Sequence, residues 1–157
     1  MSYRQLGKIS AITTVAIAAL IGASTPAAAS NYIPVSLPLT TTGAHGLGCS
    51  GDVWAEGNVY PDGDVPGTVI LQLKGWLKVL GVPAPWCSVT AIVDWHNNDT
   101  GASGSDSVFL GSGNGFPFWW GGPQLGNLRI VTGPGQVTFT LQTDLPHSPS
   151  VTTFAVY

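Results

Sequence analysis

Positive charge is scarce in this chain. Five Lys and Arg occur in 157 residues, and only Lys74, Lys78 and Arg129 lie beyond position 29, against eight Asp and Glu. Residues 30–157 therefore carry a net charge of −5. Three scattered bases form no basic patch, which argues against nucleic acid and anionic membrane surfaces as partners. Glutamate occurs once, at Glu56, and nothing selects a second carboxylate for glycoside hydrolysis. No G-x-S-x-G elbow gathers the serines with His45, His96 or His147. Neither acid-rich stretch, Asp62 with Asp64 or the run from Asp94 through Asn97, Asn98 and Asp99 to Asp106, has the spacing of a calcium loop. Asx turns account for both stretches, and no metal and no cofactor is expected. No internal repeat and no convincing helical pattern is present. Beyond residue 29 no apolar run is long enough to span a membrane as a helix.

What the N-terminus does contain is a basic region (Arg4, Lys8), a thirteen-residue apolar core from Ile9 to Ile21 and the small residues Ala27, Ala28 and Ala29. That pattern predicts a secretory signal peptide over 1–29, cleaved before Ser30, and a protein released outside the cell or into the cell envelope. No cysteine sits at the cleavage site, so no lipid anchor is expected. Residues 30–157 have the length of one domain.

The longest apolar run in that domain is Thr68 to Leu80. Val69, Leu71, Leu73, Leu77 and Val79 share odd parity, with Gly75 the one gap, while Gln72, Lys74, Trp76 and Lys78 hold the even positions. Side chains of a strand alternate between faces, so this reads as a long strand with one buried face. A helical stripe also fits, but Gly75 in mid-run costs a helix about 1 kcal/mol relative to Ala. Cys49 and Cys87, the only cysteines, bracket the run. Each shares parity with the apolar residues that follow it (Val53, Ala55 and Val59; Val89, Ala91 and Val93), which predicts a disulfide tying two sheets.

Further alternating segments are predicted at Tyr32 to Thr40, Asp52 to Tyr60, Ser88 to His96, Ser107 to Leu110, Leu128 to Thr132, Gln136 to Thr143 and Val151 to Tyr157. Prolines confined to even positions mark the first as an edge strand, its Leu39 facing inward with Leu37. The last has no charge to protect an edge. About eight short strands separated by turn residues imply an all-β protein, an antiparallel β-sandwich, with a small β-barrel as the alternative. In strand number, length, single cysteine pair and nearby tryptophans the chain resembles an immunoglobulin domain in outline. Its cysteine spacing is short for that family, and Trp76 has outward parity.

The chemistry-bearing feature that stands out is aromatic. Phe116, Phe118, Trp119 and Trp120 lie together in the Gly- and Pro-flanked stretch 111–127, read as a loop. Flat rings on such a loop stack on sugar rings or pack on an apolar envelope or protein surface; folded back, they would plug one end of the sandwich. The expected function is non-enzymatic binding through Phe116–Trp120. Two other classes are weighed: a small secreted hydrolase built on Glu56, or on Asp94 with His96, and a self-assembling structural or pore-associated envelope protein. Asn98-Asp99-Thr100 is formally an N-glycosylation triplet.

Overall fold

The computed structural model describes residues 31–111 and 122–157. Within them the chain is an antiparallel β-sandwich of nine strands with no helix. One sheet contains β1 (Ile33–Gly43), β2 (Cys49–Val59) and β3 (Thr68–Val79) as a meander. The two-residue β4 (Val82–Pro83) and β7 (Gln124–Val131) both pair with the free side of β3. The other sheet has the order β6 (Ser103–Leu110), β5 (Val89–Asn97), β8 (Gly135–Thr143), β9 (Ser150–Val156).

The core follows the odd-parity rows. Val53, Ala55 and Val59 of β2 and Val69, Leu71, Leu73 and Leu77 of β3 are buried against Val89, Ala91 and Val93 of β5 and Val137, Phe139 and Leu141 of β8. Gly75 also faces inward, so the long central stretch is a strand and not a helix. Phe154 of β9 stacks on Phe139 with ring centroids 4.7 Å apart, adding aromatic contact to area burial.

The predicted bridge is present. Cys49 and Cys87, 38 positions apart, join the first residue of β2 to the turn before β5, from one sheet to the other, with Cα atoms 5.7 Å apart. Likeness to an immunoglobulin domain goes no further than outline: there the second and third strands lie in opposite sheets, whereas here β2 and β3 pair along their whole length.

Three expectations are corrected. The register of β1 against β2 slips between Leu37 and Thr40, at Pro38, which has no N–H to give the ladder. This bulge reverses the parity of the strand. Leu39 turns outward and is 56 % exposed, while Thr40 and Thr42 become buried. Thr40 Oγ1 then donates to Ser150 Oγ (3.0 Å), which itself donates to the Pro38 carbonyl (2.7 Å), so the bulge leans onto β9. The strand predicted at Ser107 to Leu110 is longer, because β6 begins at Ser103. The long loop read over 111–127 gives up its last residues to β7.

Asn97 organises the end remote from the disulfide. Fully buried, it donates from Nδ2 to the carbonyls of Thr132, Gly133 and Pro134 (3.1, 3.3 and 3.0 Å). Its Oδ1 accepts from the N–H groups of Asp99 and Thr100 (3.0 and 3.2 Å). One side chain thus ties the β5–β6 turn to the β7–β8 turn.

Candidate functional site

At the disulfide end, two loops bring large apolar side chains to their tips. β3 and β4 are joined by Leu80 and Gly81, both with positive φ (49° and 85°). This is the backbone of a primed two-residue turn, whose first position normally takes Asn, Asp or Gly. A left-handed conformation costs a residue with a Cβ about 1–2 kcal/mol, yet Leu stands there with 98 % of its surface exposed. In the β1–β2 loop Leu47, 95 % exposed, sits between Gly46 and Gly48, which also have positive φ.

The two tips are neighbours. A Cβ on Gly46 would lie 3.7 Å from Trp86 Cδ1, and one on Gly48 3.5 Å from Val79 Cγ1. The loop that carries Leu47 therefore runs between the β3–β4 hairpin and Trp86, beside the disulfide. Val82 and Trp86 are exposed on the same end. The loop tips themselves carry no charge: residues 79–93 contain no Asp, Glu, Lys or Arg, and residues 42–51 contain only His45 as a titratable side chain; the nearest base, Lys78, is paired with Asp52.

His45 forms the rim. Its Nε2 lies 2.9 Å from Asp144 Oδ2, and Asp144 Oδ1 accepts the Thr90 N–H at 3.0 Å. Partial burial works to raise the Asp144 carboxyl, but the hydrogen bonds from His45 and Thr90 outweigh it and hold the group below its ordinary value.

Phe116, Phe118, Trp119 and Trp120 lie outside the described residues, as do residues 1–30. The residues flanking that aromatic stretch are described, and both are at this end. Gly111 lies against Ser88, and Gln124 Nε2 donates to the Cys87 carbonyl at 3.0 Å. Leu47 and Leu80 were not singled out by the sequence reading. The available signal was a large aliphatic residue in a turn position, G-L-G and L-G.

The two alternatives weighed for hydrolysis lie on different sheets, and Asp94 and His96 share the outward face of β5. Glu56 is on the outer face of the β1–β2–β3–β7 sheet, whereas Asp94 and His96 point out from the opposite sheet. Both Glu56 oxygens are engaged, Oε2 by Lys74 Nζ at 2.6 Å and Oε1 by Trp54 Nε1 at 3.3 Å. The Lys74 hydrogen bond foremost, then that of Trp54, hold its carboxyl below the ordinary glutamate value. That favours an acceptor over a proton donor. Asp94 Oδ2 accepts from Gln142 Nε2 at 2.6 Å.

Carboxylates of the Asx-rich turns are hydrogen-bonded within the chain: Asp99 Oδ2 accepts the Gln136 N–H (2.8 Å) and Asp62 Oδ2 accepts from Asn31 Nδ2 (3.2 Å). Among the described residues no three His, Cys, Asp or Glu side chains are grouped to hold a metal, and no helix is long and apolar enough to cross a membrane. Comparison with protein-family models, curated proteins and solved structures finds no match for this chain.

Proposed function

We propose that the chain is an exported, non-enzymatic binding module that docks by its disulfide end onto a lipid surface of the cell envelope. Leu80 carries the reading: a fully exposed aliphatic side chain held in a left-handed turn that would be more stable with Asn. A position that forgoes stability in this way points to function. Leu47, Val82 and Trp86 are exposed at the same end.

Aliphatic tips with a tryptophan at their base suit the boundary between acyl chains and headgroups. Each leucine that leaves water contributes about 1.5–3 kcal/mol. With no basic residue on the tip, docking rests on apolar burial and is insensitive to salt. Export is supported by the pattern of residues 1–29 and by the disulfide, a bond that persists in oxidising compartments.

The test is co-sedimentation of residues 30–157 with phosphatidylcholine vesicles at low and high salt. Wild type should sediment equally in both. Leu47→Asp with Leu80→Asp should stay in the supernatant with an unchanged melting temperature. Sedimentation of the double variant like wild type would retire the proposal.

A further inference from the structure

All three basic residues beyond position 29 lie on one surface, the outer face of the β1–β2–β3–β7 sheet. Lys74 and Lys78 occupy outward positions of β3, and Arg129 is paired with outward Ile70. Of the eight acids only Asp52 and Glu56 share this face. It therefore has a net charge of +1 on a domain whose remaining surface sums to −6.

The positive charge is localised. Lys74 is paired with Glu56 and Lys78 with Asp52, at 2.6 and 3.2 Å. Among the described residues Arg129 has neither an ion pair nor a side-chain hydrogen bond. An open concavity of about 600 Å³ is lined by Glu56 and Ile70, with amides from Asn58, Gln72 and Asn127; Arg129, outside its lining, is the cross-strand partner of Ile70. None of those three amides makes a hydrogen bond among the described residues. A second concavity of about 340 Å³ adjoins it beyond Glu56 and is lined by Trp54. Trp54 and Trp76 are diagonal neighbours, opposite Lys74 and Asp52.

The geometry points to an acidic oligosaccharide as the ligand of this face, at a site separate from the apolar tip. An indole face packs on the C–H face of a pyranose, and side-chain amides, with donor and acceptor side by side, match vicinal hydroxyls. The Glu56 carboxylate, fixed by Lys74, accepts from a hydroxyl. The Arg129 guanidinium forms a two-pronged pair with a uronate carboxylate. One unpaired cation beside the groove suits one sugar acid; nucleic acid needs several phosphate contacts.

Calorimetry with uronate tetrasaccharides from pectate, alginate and hyaluronan, each also as its methyl ester, tests the assignment. At least one acid should bind tenfold or more tightly than its ester. Arg129→Gln should erase that difference, Arg129→Lys should keep most of it, and Trp54→Ala should weaken acid and ester alike. Four results would overturn the assignment: no binding of any of the three acids, equal binding of acid and ester, an Arg129→Gln variant that binds the acid unchanged, or equally tight binding of a thymidine tetranucleotide.

Discussion

Gly75 of β3 and Leu110 of β6 meet across the sandwich, so that a Cβ placed on Gly75 would stand 3.2 Å from Leu110 Cδ1. The break in the apolar row of β3 is thus a socket for a side chain of the opposite sheet. Gly75→Ala should destabilise the domain by about 1–3 kcal/mol through overpacking. In a double-mutant cycle with Leu110→Val the two losses should fall short of additive by about 0.5 kcal/mol or more. Chemical denaturation of the four proteins measures this; strict additivity would show that the two residues do not compete for space.

Asn97→Ala removes five hydrogen bonds, among them those to the carbonyls of Thr132 and Pro134, while the Gly133 carbonyl keeps the Thr132 hydroxyl. A buried polar group left without a partner costs about 1–3 kcal/mol, so a total loss above about 2 kcal/mol is expected, with faster amide exchange confined at first to residues 98–102 and 132–135. Exchange spread evenly over both sheets would contradict the local role.

At the tip, stability and docking should move in opposite directions. Leu80→Asn relieves a conformation that costs about 1–2 kcal/mol and should raise the denaturation midpoint, yet it should weaken vesicle binding. A variant that loses stability would show that Leu80 is held by packing after all.

Asp144 sets part of the acid limb. Its folded value is depressed, so its contribution is fully present above the unfolded carboxyl value, about 3.9, and is lost as pH falls through the lower folded value. Asp144→Asn should lower the melting temperature at pH 6 and flatten the decline as pH falls below about 4. Parallel pH curves for the two proteins would exclude the carboxylate as a contributor.

Replacing Cys49 and Cys87 by serine opens a loop spanning 38 positions, which the chain-entropy account values at about 4 kcal/mol. Guanidinium melts at constant slope should record a loss of that order. A loss well below that would contradict the chain-entropy account.

Wherever one face of a strand is buried and the other wet, the alternation of residues made the architecture readable. β3, β5 and β8 each repeat an apolar side chain at every second position, and the same parity paired Cys49 with Cys87. β1 defeats that logic because Pro38 and Leu39 are compatible with either register, and only the ladder with β2 reveals the bulge. β6 alternates Ser103, Ser105 and Ser107 with Gly104 and Asp106, so no apolar period announces its start. The tip was illegible for a related reason: an apolar residue in a sequence reads as core until backbone geometry shows it facing water. The saccharide face depended on pairing too, since Arg129 joins Lys74 and Lys78 only through the alignment of β7 on β3.

That alignment also fixes a height. Arg129 is level with Ile70, and Leu80 lies ten positions further along the β3 hairpin. At about 3.3 Å per residue the guanidinium stands about 30 Å from the tip. Fixed charges on a surface touched by Leu80 decay over about 8 Å at physiological salt. A sugar acid approaching Arg129 would therefore be blind to the headgroups below, so the two attachments would be independent in energy while coupled in orientation, with the sheet standing upright like a mast.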